Sequence, residues 1–233
     1  MTAQRIPWSE LREDFTSTFK QGDHVAIIGP TGQGKSTLAL SLLDTLWERG
    51  ASILFLANKP SDPLLGTISR SRNWARIKKW PPTYADRQKR RVLLWPSYGL
   101  ASRSGRNAPV FTQAMDYALL EGGWVVYIDE TRYFIEQLGM RRVVDEYWNA
   151  ARSSRVTLIA GSQGPTWINR TMITQETWLF MFRPRHAEDF KVYAEAAGNK
   201  DVVPDLQSLN SRKHEFLIAH TPTGNRYISH LEV

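Results

Sequence analysis

Eight consecutive residues near the start of the chain have the types and spacing of a phosphate-binding loop. They fit the pattern G-x-x-x-x-G-K-[ST] at each defined position and are, in order, Gly29, Pro30, Thr31, Gly32, Gln33, Gly34, Lys35 and Ser36. Glycines let successive backbone N–H groups point at phosphate oxygens, and the helix that follows adds the positive end of its dipole. We expect Lys35 to reach the β- and γ-phosphates, Ser36 to place its hydroxyl on Mg²⁺, and Thr37 to support the first helical turn. The segment predicts a site for ATP and Mg²⁺.

A pair of acids closes an apolar strand about a hundred residues later. The run from Trp124 to Ile128 is entirely apolar and is followed by Asp129 and Glu130. Ligands gather at the carboxyl ends of parallel strands, so the pair should face the phosphate loop. Asp129 is placed to hold Mg²⁺, directly or through water, and Glu130 to polarise the attacking water as a general base. Such a pair alone is also common at a solvated strand end, but with the loop upstream it predicts ATP hydrolysis.

Three further polar residues surround the next apolar strand, which runs from Val156 to Ala160. Gln163 follows it and is a candidate to hydrogen-bond the γ-phosphate or the attacking water, although a loop glutamine can also satisfy nearby backbone groups. Arg152 and Arg155 precede it. An arginine offered across a subunit boundary stabilises the charge on a transferring phosphoryl group. Each arginine also suits a salt bridge or a helix end.

Apolar runs of strand length alternate with helical patterns, which predicts an α/β fold with a mainly parallel central sheet flanked by helices. The expected strands are His24 to Ile28, Ser52 to Ala57, Val92 to Trp95, Trp124 to Ile128, Val156 to Ala160 and Trp178 to Phe182. Helices are expected from Lys35 to Glu48, from Val110 to Leu120 and from Ile135 through Ala151. Glu215 to His220 and Arg226 to His230 flank a Pro/Gly turn and predict a terminal hairpin or edge strands. We expect one domain over 1–233, with a lead-in (1–22), a motor core (23–184) and a C-terminal helical segment and hairpin (185–233).

The composition is that of an ordinary globular protein, with 42% hydrophobic and 23% charged residues. The absence of cysteine excludes disulfides, thiolate zinc sites and cysteine nucleophiles. The N-terminus has no apolar run behind its charges, which argues against a secretory signal. The longest unbroken apolar stretches noted above have five residues, against about 20 for a spanning helix. We therefore expect a cytoplasmic protein without membrane insertion.

Positive charge is concentrated in one segment. Between Ile68 and Arg106 there are eleven basic residues and one acid, so this stretch carries +10 while the rest of the chain carries −3. Such a field favours a polyanion, most naturally nucleic acid held through its phosphates without sequence readout. The alternative is a solvated basic face that serves only solubility.

Taken together, the motifs resemble those of the FtsK/HerA superfamily of DNA-translocating ATPases. The family's phosphate loop, Asp-Glu strand, Ala-Arg helix end and Thr-Gln-x-Pro strand end match four segments here: Gly29–Ser36, Trp124–Glu130, Ala151–Arg155 and Ser162–Pro165. Ser162 replaces the usual Thr, and Arg155 stands where Gly is common. The resemblance implies an ASCE/RecA-like core in which the strand ending at Gln163 lies between those ending at Gly29 and Asp129. It also implies a homo-oligomeric ring, a pentamer or hexamer, with ATP sites between subunits and Arg152 as the better candidate to act in trans.

The chain carries little beyond the motor, which looks similar to the viral genome-packaging ATPases. That resemblance implies double-stranded DNA as partner, a capsid portal or vertex as docking point, and the host cytoplasm as location. Arg103, Arg106, Lys78 and Lys79 are then the expected DNA-backbone contacts, with Arg87 to Arg91 beside the two lysines. Two other functions stay open at this point: a related assembly or secretion ATPase that acts on protein, and a P-loop kinase, against which the acidic pair argues.

Overall fold

Ten strands form one sheet in the computed structural model, which describes residues 3–59, 61–97, 107–164 and 170–231. Numbered along the chain, they are β1 (Gln4–Arg5), β2 (Val25–Ile28), β3 (Ser52–Leu56), β4 (Ala75–Ile77), β5 (Arg91–Leu94), β6 (Trp124–Ile128), β7 (Thr157–Ser162), β8 (Trp178–Phe182), β9 (Glu215–His220) and β10 (Asn225–His230). Their order across the sheet is β1-β10-β9-β8-β2-β7-β6-β3-β5-β4.

The strands from β8 to β4 in this order all run parallel to one another. The predicted C-terminal hairpin, β9 and β10, extends this sheet in antiparallel fashion beside β8, and β1 pairs in parallel with β10. β7 lies between β2 and β6, as the resemblance implies, with Ile28 opposite Ser162 and Ile128 opposite Ala160. This register brings the carboxyl ends of the three strands to the same edge of the sheet.

Helices cover both faces of the sheet. They are α1 (Trp8–Thr18), α2 (Lys35–Glu48), α3 (Pro63–Arg70), α4 (Tyr84–Gln88), α5 (Asn107–Glu121), α6 (Arg141–Ala150), α7 (Arg170–Gln175), α8 (Ala187–Ala196) and α9 (Val202–Ser208). α1, α2 and α3 bury apolar side chains against one face, and α5, α6, α8 and α9 bury theirs against the other. The central strands are therefore buried on both sides, which explains their continuous apolar sequences. The predicted α/β class with a mainly parallel sheet is confirmed.

The predicted helix from Ile135 through Ala151 is wrong, because two pieces replace it. A π-helical turn covers Tyr133–Gln137, and α6 starts only at Arg141. Between them Gly139 has φ of 66°, a left-handed conformation that interrupts a right-handed helix and that glycine adopts without strain.

The lead-in before residue 23 is part of the packed structure. Trp8, Leu11 and Phe15 of α1 are buried, and the Trp8 indole Nε1 donates a hydrogen bond to the Ser41 hydroxyl of α2 at 2.8 Å. No helix in the described part of the chain combines the length and the apolar character needed to span a bilayer.

Candidate active site

The phosphate loop joins β2 to α2 at the carboxyl edge of the sheet. Gly34 has φ of 99°, a conformation open to glycine, and α2 begins at the next residue. The Lys35 ammonium donates a hydrogen bond to the Pro30 carbonyl oxygen across the loop at 2.9 Å. This bond holds the lysine over the concave side of the loop, where phosphate oxygens would compete for it.

The two predicted metal ligands are adjacent. The Ser36 hydroxyl donates to Asp129 Oδ1 at 2.9 Å, and the Tyr127 hydroxyl donates to the same oxygen at 2.7 Å. A hydroxyl and a carboxylate are the oxygen ligands that Mg²⁺ prefers. No group of three or more acidic or histidine side chains gathers within the described residues. Ser36 and Asp129 therefore fit a Mg²⁺ ion that takes its remaining ligands from phosphates and water.

Lys59, which the sequence analysis did not identify, forms an ion pair with the same carboxylate. Its ammonium lies 2.6 Å from Asp129 Oδ2 and 3.2 Å from Asp62 Oδ2. Burial raises the pKa of the Asp129 carboxyl, but the charge and hydrogen bond of Lys59 outweigh burial and leave that pKa below its ordinary value. Only its position could have indicated this role, because Lys59 follows β3, which lies beside β6, the strand that precedes Asp129.

Glu130 and Gln163 meet on the side of the loop that faces β7. Glu130 Oε1 is buried without a hydrogen-bond partner among the described residues. Burial raises the pKa of this carboxyl, and the nearby Lys35 charge offsets only part of the effect. The Thr31 hydroxyl donates to Gln163 Oε1 at 3.1 Å. A partly buried carboxylate of raised pKa beside an amide is suited to accept a proton from a positioned water.

Gly161 permits the close approach of β7 to the acidic pair. A Cβ built on Gly161 would lie 2.4 Å from the Asp129 backbone oxygen, which is closer than any real contact. Glycine at this position therefore lets Gln163, two residues later, stand beside Glu130.

Most of the predicted site residues line one cavity of about 470 Å³. They are Thr31, Gly32, Gly34, Lys35, Ser36, Thr37, Asp129, Glu130 and Gln163. Gly29, Pro30 and Gln33 complete the backbone of the loop without lining this cavity. The remaining lining residues, Lys59, Asp62, Pro63, Leu64, His214 and Leu231, were not predicted.

Two side chains from the C-terminal quarter contact the backbone of the phosphate loop. His214 Nδ1 lies 3.2 Å from the Gln33 carbonyl oxygen, and the Arg185 guanidinium donates to the Thr31 carbonyl oxygen at 3.1 Å. Both contacts span more than 150 residues of sequence. No local pattern in the sequence connects residues so far apart.

Arg152 and Arg155 lie at the opposite edge of the sheet, before the first residue of β7. Strand β7 has six residues, so the arginines stand about 20 Å from the loop of their own chain. The Arg152 guanidinium donates to the Thr177 hydroxyl at 2.7 Å. Arg155 is exposed and has φ of 55°, a conformation that glycine favours, which explains why glycine would suit this position. Neither arginine can reach the phosphates bound by its own chain.

The predicted DNA contacts divide into three groups. Lys78 and Lys79 are exposed directly after β4. Arg91 is a structural residue instead, because the residue is 6% exposed and its guanidinium lies over the rings of Trp47 and Trp74 and pairs with Asp44. Arg103 and Arg106 lie outside the described residues.

Comparisons with known proteins agree with this architecture. The family model described as "ABC transporter" matches residues 13–93, which contain the phosphate loop but not the acidic pair and make up less than half of the chain. No curated protein matches the sequence.

Solved structures match most of the chain. The DNA-packaging ATPase B204 of Sulfolobus turreted icosahedral virus superposes with a TM-score of 0.66 at 18% identity, over 92% of this chain and 100% of that one. B204 of Sulfolobus turreted icosahedral virus 2 with ATP-γ-S gives the same values. The pCW3 conjugation coupling protein TcpA matches with a TM-score of 0.60 at 14% identity, over 89% of this chain and 59% of that one. The chain has the fold of a P-loop NTPase, and its structural neighbours include viral genome-packaging ATPases.

Proposed function

We propose that this protein is an ATP-driven motor that moves double-stranded DNA, and that its task is to package a viral genome into a capsid. The observation that carries the proposal is the convergence of Lys35, Ser36, Asp129 and Glu130 on one cavity. Phosphate-binding, metal-binding and proton-accepting groups are thereby placed together, as hydrolysis of a phosphoanhydride requires. Simple nucleotide binding would not need Glu130 at this position.

Each site residue has a distinct role in this mechanism. Lys35 exchanges the Pro30 carbonyl for the β- and γ-phosphates. Ser36 and Asp129 would hold Mg²⁺, which would neutralise charge on the phosphates when bound. Gln163 orients the attacking water, and Glu130 accepts its proton. A positioned general base contributes about 10² to 10⁴ in rate.

The position of Arg152 and Arg155 supports a ring. Both stand at the edge of the sheet opposite to their own phosphate loop, so a guanidinium from this edge is available only to a neighbouring subunit. Arg155 makes no side-chain hydrogen bond or ion pair with the described residues, whereas Arg152 is held by Thr177. We propose a pentameric or hexameric ring in which one of these arginines completes the neighbour's site.

The basic segment supports DNA as the partner. Lys78 and Lys79 are exposed, and Arg103 and Arg106 belong to the same stretch of net charge +10. Contacts of this kind bind the phosphate backbone of any sequence and weaken as salt rises. B204, which has the same fold and nearly the same extent, is described as a DNA-packaging ATPase. Packaging would place the protein in the host cytoplasm, docked at times on a capsid portal or vertex.

Steady-state ATP hydrolysis, measured at low salt with and without long double-stranded DNA, tests the proposal. We expect DNA of any sequence to stimulate turnover, the stimulation to fade with added salt, and Glu130→Gln to abolish it. Lys78→Ala combined with Lys79→Ala should reduce stimulation and its salt dependence without changing turnover in the absence of DNA. Turnover that ignores DNA at every salt concentration would refute the DNA motor and favour an ATPase that acts on protein.

A further inference from the structure

Lys59 and Asp62 bring charge into the candidate active site, and neither has a role in the mechanism above. Both line the cavity of about 470 Å³ that also contains Lys35 and Glu130. The Lys59 ammonium lies 2.6 Å from Asp129 Oδ2 and 3.2 Å from Asp62 Oδ2. A second lysine therefore stands in the cavity that we assign to the triphosphate.

The ion pair between Lys59 and Asp129 involves the same carboxylate as the metal site. The Ser36 and Tyr127 hydroxyls bond to Asp129 Oδ1, and the Lys59 ammonium pairs with Oδ2, so both oxygens have partners. A divalent cation held by Ser36 and Asp129 would neutralise this carboxylate and would repel the ammonium beside it. The Lys59 ammonium and a bound metal ion are therefore alternative counter-ions of Asp129.

The backbone of Lys59 is held in place, whereas its side chain can turn. Trp95 Nε1 donates a hydrogen bond to the Lys59 carbonyl oxygen at 2.8 Å. Asp62 is held as well, because its Oδ1 accepts a hydrogen bond from the Leu64 N–H at 2.8 Å and caps α3. A lysine ammonium lies at the end of a flexible four-carbon stem. An ammonium that leaves Asp129 therefore stays beside Asp62 and within reach of phosphates in the cavity.

The sheet order places Lys59 at the reacting end of the triphosphate. Lys59 follows β3, which pairs with β6, the strand that precedes Asp129 and Glu130. Lys35 belongs to the loop after β2, and β7 and β6 separate β2 from β3. The two lysines thus approach the phosphates from different sides, and Lys59 approaches from the side of Glu130, the proposed proton acceptor.

We propose that Lys59 is a second phosphate-binding lysine, which leaves Asp129 when a nucleoside triphosphate and its metal ion bind and then contacts the γ-phosphate. The inference rests on the proposed function, because it takes this cavity as the triphosphate site. An ammonium in this position stabilises the negative charge on the γ-phosphate oxygens during hydrolysis. It also favours ATP over ADP, because ADP has no γ-phosphate.

Calorimetry with two nucleotides in the presence of Mg²⁺ tests the γ-phosphate contact. The nucleotides are AMPPCP, a non-hydrolysable analogue of ATP, and ADP. Lys59→Met should lower the affinity for AMPPCP relative to ADP by about tenfold or more, because a charge-assisted hydrogen bond to the γ-phosphate is lost. Lys78→Met removes an exposed lysine after β4 and should keep the wild-type ratio of affinities. Lys59→Arg keeps the positive charge and should retain most of the preference for AMPPCP.

Titrations of ADP with and without Mg²⁺ test the competition for Asp129 separately. Addition of Mg²⁺ should strengthen ADP binding to Lys59→Met by a factor several fold larger than in the wild type, because the ammonium no longer competes for the carboxylate. Lys59→Gln is a second neutral variant and should behave as Lys59→Met does in both experiments. A side chain that serves only stability would not change either ratio.

The wild-type ratio of AMPPCP to ADP affinity in both neutral variants, or equal weakening of the two nucleotides, would overturn the γ-phosphate contact. A loss of preference in Lys59→Arg as large as in Lys59→Met would show that the charge is not responsible and would also overturn it. An unchanged effect of Mg²⁺ on ADP binding would overturn the competition for Asp129. Wild-type protein that binds neither nucleotide would instead refute the ATP site of the proposed function, and a failure of the DNA-motor proposal would appear only in the turnover assay.

Discussion

Replacement of Lys59 by Met should destabilise the protein through the charge of Asp129. The Asp129 side chain is 10% exposed, and its Oδ2 lies 2.6 Å from the Lys59 ammonium. Lys59→Met leaves this buried carboxylate with the neutral Ser36 and Tyr127 hydroxyls as hydrogen-bond partners and with Lys35 as a nearby positive charge. Loss of one partner of a fully buried ion pair costs about 3 to 5 kcal/mol. The Lys59 side chain is 37% exposed, so solvent screening reduces the expected cost to about 1 to 2 kcal/mol.

Urea and thermal unfolding at pH 7 without nucleotide or Mg²⁺ measure this cost. A loss of about 1 to 2 kcal/mol corresponds to a fall in Tm of roughly 2 to 8 °C for a chain of this size. Lys78→Met is the matched control, because it removes an exposed lysine and should change the free energy of unfolding by less than about 0.5 kcal/mol. In a double-mutant cycle, Lys59→Met should cost less in the Asp129→Asn background. Equal cost in both backgrounds, or no cost in the wild type, would refute the electrostatic reasoning.

Three further predictions concern catalysis and pH. Glu130→Gln should lower the rate of single-turnover hydrolysis about 10²- to 10⁴-fold while ATP still binds. Glu136→Gln, in the following π-helical turn, is the control and should hydrolyse ATP normally. Near-normal hydrolysis by Glu130→Gln would exclude the general-base role. A mixture of inactive Glu130→Gln and inactive Arg155→Ala chains should regain activity, because some mixed interfaces combine an intact glutamate with an intact arginine. If Arg152 is the acting residue, Arg155→Ala will be active by itself and inactive Arg152→Ala chains will recover in the mixture. Inactive arginine variants that do not recover with Glu130→Gln would contradict a shared site. Glu176 is buried, neither of its carboxyl oxygens has a hydrogen-bond partner among the described residues, and burial raises its pKa to about 8. The folded protein thus retains a proton that the unfolded chain loses above about pH 4.5, so wild-type stability should fall as pH rises from 4.5 to 8. Glu176→Gln should remove this contribution to the pH dependence of the free energy of unfolding and should be more stable than the wild type by about 2 kcal/mol at pH 8. Chemical denaturation at a series of pH values measures this, and parallel plots of unfolding free energy against pH for the two proteins would contradict the prediction.

The parts of the fold that could be predicted are those whose signal is local. The parallel strands have continuous apolar sequences because both faces are covered, and Trp124–Ile128 and Trp178–Phe182 have the predicted bounds. The phosphate loop could be identified because backbone geometry requires glycine and lysine at fixed spacing. The order of strands around β7 came from the family resemblance, since periodicity carries no information about neighbours in a sheet.

The parts that could not be predicted depend on contacts between distant residues. Lys59 and His214 reach the site only after the sheet places β3 beside β6 and the C-terminal segment beside the loop. Arg91 counts as a positive charge in the sequence, yet two tryptophans and Asp44 bury it. The helix expected over residues 135–151 breaks at Gly139, which takes a left-handed conformation. The break could not be predicted because the apolar pattern continues across this residue.

Displacement of a triplex-forming oligonucleotide from linear double-stranded DNA shows whether this protein is a DNA motor, because it detects movement along DNA. We expect the wild-type protein to displace the oligonucleotide in a reaction that requires hydrolysable ATP and is independent of DNA sequence, and we expect no displacement by Glu130→Gln. Robust ATP hydrolysis on bound DNA with no displacement would contradict the claim that this site drives a DNA motor.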